Sequence, residues 1–231
     1  MKELKILHLL PKLLSLYGEY GNVAVLANEL RKVGHTVTVD CWEKGELTLD
    51  YDLIYVGSGT EDNLLEAVKR LLPHADAIKA STKTTTWLAT GNAMTLFGAS
   101  ITQGDTIAPA LGVFDYTTTI HSGKRYLGDA LTAEKMVGFI NTSSVYEGIT
   151  TPLFQLQLNP GLGNDKKTAA DGIQAEKFYG TQLIGPVLVK NPHFMERIAS
   201  EITGSSLTLA ADSNIRKAYD ISLNELQKRM Q

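Results

Sequence analysis

The chain has a single cysteine, Cys41, in 231 residues. One thiol excludes an internal disulfide and any multi-cysteine metal site, and it is compatible with a reducing compartment. A cationic excess is also missing: 22 Lys and Arg face 25 Asp and Glu, for a formal charge of −3 and a pI near 6.0. Nucleic-acid binding usually needs a basic footprint, so no nucleic-acid partner is expected. No stretch approaches the roughly 18 consecutive apolar residues that cross a bilayer. The opening "MKELKILHLLPKLLSLYG" is interrupted by Pro11 and Lys12, and no small-residue cleavage site follows. These absences predict a cytoplasmic protein without membrane insertion. The histidines at 8, 35, 74, 121 and 193 have neither i,i+4 pairing nor metal-ligand spacing, and the acids form no pair suited to general acid–base work. Neither a metal nor a cofactor is called for.

What the sequence does contain is an α/β alternation. Lys5–Leu10, Thr36–Cys41 and Leu53–Val56 read as short apolar strands. Between the first two, Val23, Leu26, Ala27 and Leu30 recur on one helical face, with Asn22 as the expected cap and Gly34 as the stop. A second helix spans 61–72, with Pro73 ending it, and "STKTTT" at 81–86 reads as strand former with one solvated face. The middle, 101–135, reads as β segments broken by Gly112, Gly123 and Gly128, and 161–172 as an exposed loop. Two closing helices are expected near 192–202 and 214–229. The prediction is one three-layer α/β/α domain over 1–231, mainly parallel and flavodoxin-like, with 203–231 a helical extension.

The stretch "WLATGNAMTLFGAS" at 87–100 carries the most chemical information. A strand, a sharp turn and a helix in that order form the elbow on which many α/β enzymes mount a nucleophile. The sequence puts Thr90 at the bend, before Gly91 and Asn92. A second glycine turn, Gly57–Ser58–Gly59, ends the neighbouring strand, and such turns can present amides to an oxyanion. Two turns at adjacent strand ends predict a ligand crevice. Cys41 reads as a small buried hydrophobe, and His121 lies in a polar loop. The residues alone give no complete catalytic constellation.

Several ordered stretches are similar to the class I glutamine amidotransferase superfamily, in its cobyric-acid-synthase-like branch. They are "LLSLYGEYGNVAVLANELRKVGH", "DLIYVGSGTEDN", "ATGNAMTLFG", "ALGVFDYTT", "MVGFINTSS" and "FYGTQLIGPVLVKNPHF". Within that branch the chain most resembles the glutaminase subunits of lipid II isoglutaminyl synthases, from about residue 3 to 200. The resemblance implies a cysteine nucleophile at the elbow, a histidine base and backbone amides for the oxyanion. It further implies a Mur-ligase-like partner that uses the released ammonia to amidate a peptidoglycan stem peptide.

Carried over position by position, that machinery is erased. Thr90 falls where the cysteine is expected, and Gly91 and Asn92 replace the paired glycines after it. Ile184 takes the place of the histidine in "YLHGP", and Pro186 stands where the superfamily's commoner pattern has a glutamate. The "GFENHGG" segment becomes Ile140, Asn141, Thr142, Ser143 and Ser144 after Gly138 and Phe139. Arg125 matches an arginine expected near the glutamine. A thiol with a pKa of about 8.5 has a usable thiolate fraction, whereas an unactivated threonine hydroxyl has none. The leading expectation is a catalytically degenerate subunit. An enzyme using other chemistry in the same crevice, with Arg125 and Asp115 binding a polar ligand, and a stand-alone small-molecule-binding module remain the alternatives.

Overall fold

The computed structural model describes residues 1–230. Its first half runs β1 (Glu3–Leu9), α1 (Tyr20–Lys32), β2 (Thr36–Trp42), β3 (Leu53–Val56), α2 (Glu61–Leu71), α3 (Ala75–Ser81) and β4 (Thr86–Thr90). The middle is built from β5 (Ser100–Gln103), β6 (Thr106–Pro109), β7 (Thr117–Ile120), β8 (Tyr126–Thr132), β9 (Val137–Thr142) and β10 (Ser144–Glu147). Next come β11 (Phe154–Leu158), β12 (Ala170–Asp171), β13 (Ile173–Ala175) and β14 (Phe178–Thr181). Helices α4 (Val187–Lys190), α5 (Pro192–Thr203) and α6 (Asn214–Lys228) follow.

Six strands form the central sheet in the order β13-β14-β4-β3-β1-β2. Every pairing from β14 across to β2 is parallel, and only β13 runs antiparallel to its neighbour. Alternation along these buried strands divides the core into two layers. Leu53, Tyr55 and Leu88 join Val23 and Leu26 of α1 and Phe194 and Ile198 of α5 on one face. Ile54, Val56, Trp87 and Ala89 join Leu64, Val68 and Leu71 of α2 on the other. The architecture is the predicted three-layer α/β fold. Helix α2 follows from its sequence: the Thr60 hydroxyl accepts the Asn63 N–H at 3.2 Å, Glu61 and Asp62 sit in the first turn, and Lys69 and Arg70 in the last.

Two four-stranded sheets extend this plan, in the orders β10-β7-β5-β6 and β12-β11-β8-β9. The first shares the α2 side through Ile101, Ile120 and Tyr146, the second the α1 side through Ala130, Ile140 and Phe154. Helix α6, capped by Ser213, buries Leu226 with Leu131 and Val137, and Tyr219 and Arg229 tie it to Lys135 and Asp129.

Several local expectations are corrected. Asn22 lies inside α1, where its side chain accepts the Leu188 N–H at 2.7 Å instead of capping the helix. Helix α2 does end just before Pro73, at Leu71, but the ring sits in a 3-10 turn that leads straight into a further short helix, α3, that the sequence reading lacked. Of 81–86 only Thr86 is strand; Ser81 closes α3, and its hydroxyl accepts from Trp87 Nε1 at 3.1 Å. Gly128 lies within β8 rather than breaking it. The 161–172 segment holds the buried Asn164 and Asp171, whose side chains are engaged by Gly172, Thr181 and Gln182. Cys41 is exposed on the edge strand β2, not buried.

Candidate functional site

Parallel pairing aligns Val56 with Ala89, so the turns that leave β3 and β4 emerge side by side. They are tied together: the Gly59 N–H donates to Asn92 Oδ1 at 3.1 Å, and Asn92 Nδ2 donates back to the Gly59 carbonyl at 2.8 Å. The Ser58 hydroxyl points at the Thr90 carbonyl, 3.4 Å away. Gly57 is required by close packing, since a Cβ there would come within 2.8 Å of Glu19 Oε2 and of the Leu14 carbonyl.

The bend itself is one residue later than the sequence suggests. Thr90 is the last residue of β4, with extended backbone at φ −119° and ψ 149°, and it pairs with Thr181. Its side chain is fully buried, with Oγ1 2.8 Å from the Tyr55 hydroxyl. Gly91 turns the chain at φ +61°, left-handed backbone that glycine adopts readily and a side-chain-bearing residue seldom does. An elbow nucleophile occupies the strained bend, not the relaxed strand before it. Thr90 is therefore not at the bend, and the residue that is has no side chain.

The space above Gly91 is filled. A Cβ built there would overlap Ser58 Oγ and lie 2.7 Å from Ile184 Cγ2. Ile184 is held in place by its N–H to the Phe139 carbonyl at 2.9 Å, while the Gly91 N–H donates to the Leu183 carbonyl at 3.2 Å. The glycine-turn amides have internal acceptors too, because Ser58 N–H donates to Glu19 and Gly59 N–H to Asn92. A 3-10 helix, Gly91–Leu96, follows the bend in place of an α-helix, and all six of its residues are buried.

The remaining predicted residues separate into core and mouth. Ile140 packs into the α1-side core, and Thr142 and Ser144 are buried behind it. Asn141 and Ser143 reach the mouth with Arg125. There Arg125 Nε donates to Asn141 Oδ1 at 2.8 Å, Arg125 Nη1 to Glu61 Oε1 at 3.1 Å, and the Ser143 hydroxyl to the same carboxylate at 2.7 Å. Asn141 Nδ2 in turn reaches the Tyr17 hydroxyl at 3.2 Å. Burial opposes ionisation of Glu61, but the Ser143 hydroxyl and the Arg125 guanidinium outweigh it and hold the carboxyl below its usual range. Arg125 is thus committed to an internal acid. Asp115 and the bend are not linked by any hydrogen bond among the described residues.

Sequence reasoning missed Glu19. Its carboxyl is fully buried; one oxygen accepts the Ser58 N–H at 2.5 Å, and the other has no partner among the described residues. Burial pushes this acid up to about 7, against hydrogen bonds from Ser58 and Thr90. A carboxylate in that range can accept a proton. The neighbouring Thr90 hydroxyl is closed off by Tyr55, however, which also receives Asn22 Nδ2 at 2.9 Å. The only available signal was an acid in the loop "YGEYGN" directly after the first strand. Among the described residues no group of three or more His, Cys, Asp and Glu converges as a metal site. Cys41 lies on the far edge of the sheet, with β3 and β1 between its strand and β4.

Comparison with known proteins fits this frame. The chain is 29% identical over 199 residues to the lipid II isoglutaminyl synthase (glutamine-hydrolyzing) subunit GatD of Staphylococcus aureus (strain N315), covering 83% of this chain and 81% of that protein. It is 25% identical over 223 residues to the corresponding GatD subunit of Streptococcus pneumoniae (strain ATCC BAA-255 / R6), covering 86% and 80%. The chain is homologous to GatD-type glutaminase subunits of the glutamine-amidotransferase-like superfamily. A crystal structure of a glutamine amidotransferase shares the fold, with a TM-score of 0.55 and 15% identity over 86% of this chain and 98% of that one. No family model matches the sequence. No helix among the described residues is long and apolar enough to cross a membrane.

Proposed function

We propose that this chain is a catalytically degenerate glutaminase-like subunit, serving lipid II amidation by structure, binding or regulation rather than by hydrolysing glutamine. The observation that carries the reading is the bend: Gly91 offers no nucleophile, and Ser58 and Ile184 fill the space where one would stand. Covalent amide hydrolysis needs an activated nucleophile and a base beside it. Neither Gly91 nor Ile184 supplies one, and Thr90 points into the core. The similarity to GatD subunits supports the setting, and the partner in that setting is a Mur-ligase-like subunit, which the sequence resemblance implies.

The direct test is ammonia release from glutamine by the purified chain, alone and with the candidate ligase. No turnover above a buffer control is expected in either case. Steady turnover that disappears with Thr90→Val would overturn the reading. Deletion of the gene, followed by analysis of stem-peptide amidation, tests the setting separately. Unchanged amidation would remove the link to lipid II while leaving the inactive bend in place.

A further inference from the structure

Helix α2 forms one wall of a trough. Leu65, Val68 and Leu72 share one stripe of the helix and line a cavity of about 610 Å³. The paired Ile101 of β5 and Ala108 of β6 form its opposite wall, and the exposed Lys69 and Thr106 edge it. Glu61, at the start of the same stripe, lines a second cavity of about 410 Å³ at the mouth, with His121, Arg125 and Ser143. Gln103 lines both cavities and marks where they meet. The two walls change character in the same direction. Along α2 the order from the mouth is Glu61, Leu65, Val68 and Leu72, a rise of about 16 Å. Along β5 it is Gln103, which pairs with Ile120 beside His121, and then Ile101. Polarity is thus divided along the length of the trough and not across its width. An amphipathic helix carries its apolar stripe from end to end, so laid beside α2 it would bury that stripe against the polar half too. A molecule with an apolar tail and a polar head matches the division, and both volumes are those of small-molecule sites, ~300–1,000 Å³.

We propose that this trough binds an amphiphile, its apolar chain between α2 and the β5–β6 pair and its uncharged, hydrogen-bonding head past Gln103 at the mouth. The site goes beyond the degenerate-subunit reading and uses neither Gly91 nor Ile184. A head without charge suits the mouth because Arg125 and Glu61 already pair there, and Lys124 stands over the Tyr126 ring. The half-buried Gln103 amide can both donate to such a head and accept from it.

The experiment is an amide-shift titration of the full chain with octyl glucoside below its micellar concentration and, separately, with methyl glucoside, which keeps the head and lacks the tail. Octyl glucoside should saturate a single site, with shifts along α2 and at Ile101 and Gln103, and methyl glucoside at the same concentrations should not. Hexyl glucoside should bind about 10-fold more weakly, because two methylenes leave the apolar half. Ala108→Phe fills that half from the edge strand β6 and should weaken octyl glucoside binding by at least ~10-fold. Leu72→Gln, at a part-exposed position outside the sheets, should weaken it by at least ~3-fold. Ile107→Ser removes an exposed apolar side chain from the opposite face of β6 and should leave binding unchanged. No saturation, equal binding of methyl glucoside, full binding by both Ala108→Phe and Leu72→Gln, or an equal loss with Ile107→Ser overturns the proposal. Ammonia release is measured independently, so a failed titration leaves the reading of the bend untouched.

Discussion

Ile184 Cγ2 lies 2.7 Å from the point at which a side chain on Gly91 would begin. The two residues are complementary: the bend can be left-handed because it is glycine, and isoleucine can close over it because nothing projects upward. Ser58 completes the contact from the neighbouring turn. The left-handed glycine and the isoleucine closed over it are thus one packed arrangement, not two independent features.

That arrangement predicts strong coupling between positions 58 and 91. Gly91→Ala places an L-residue at positive φ, at about 1–2 kcal/mol, and overpacks against Ser58 and Ile184, at about 1–3 kcal/mol more. Ser58→Gly removes the closest obstruction and exchanges only a long hydrogen bond. In denaturant titrations the double variant should be clearly more stable than the sum of the single changes requires. Strict additivity would mean that Ser58 does not press on Gly91.

Thr90 should behave as a core residue. Thr90→Val leaves the Tyr55 hydroxyl with Asn22 as its remaining side-chain partner and should destabilise the fold by about 1–3 kcal/mol. Adding Tyr55→Phe should cost more rather than recover the loss, because the buried Asn22 Nδ2 then loses the oxygen to which it donates. A Thr90→Cys thiol, in a Cys41→Ser background, should resist a soluble thiol reagent until the protein unfolds. Rapid native-state labelling would place position 90 at an open site.

Glu19 gives a pH signature. A carboxyl raised to about 7 in the fold and ordinary in the unfolded chain binds more protons when folded across that window. Stability therefore falls as pH rises from about 4.5 to 7, by up to roughly 3 kcal/mol from this group. Asp171, fully buried and also raised, acts in the same direction, whereas His8, pulled by burial down to about 4, acts oppositely. The difference between wild type and Glu19→Gln isolates the Glu19 contribution. The variant should gain relative stability towards pH 8, and parallel pH profiles would show that Glu19 titrates normally.

The parts of this architecture legible in the sequence are those set by local pattern. Leu53–Val56 is a continuous apolar run, and Leu64, Val68 and Leu71 share one helical face, so β3 and α2 were expected close to where they lie. The pairings of β10 with β7 and of β11 with β8 skip over intervening strands, and no local periodicity encodes them. The bend was misplaced by one residue because Thr90 and Gly91 are both compatible with a strand end, and only the sign of φ separates them. Ile184 could be located through the resemblance, but its contact with Gly91 depends on β14 pairing beside β4. Glu19 escaped notice because its partner Ser58 lies on a different strand end, brought near only by the parallel sheet.

Rescue of glutaminase chemistry distinguishes the two possible nucleophile positions. Thr90→Cys/Ile184→His supplies a thiol and an imidazole, but the thiol points towards Tyr55 and no substrate reaches it. That pair should release no ammonia. Gly91→Cys/Ile184→His puts the thiol on the bend, where Ser58 Oγ obstructs it, so Ser58→Gly must be added before the side chain fits. The triple variant should be the first with measurable turnover. It should remain weak, because the histidine is desolvated in a site packed around isoleucine and Pro186 offers no side chain to orient it. Arg125 also remains paired with Glu61, and a misplacement of about 1 Å can itself lower the rate on the order of 100-fold. Ammonia release per folded protein, measured with the ligase partner present, decides the matter. Turnover by the Thr90→Cys pair would move the nucleophile position back into the strand, and efficient turnover by the triple variant would show that three side chains account for the whole loss.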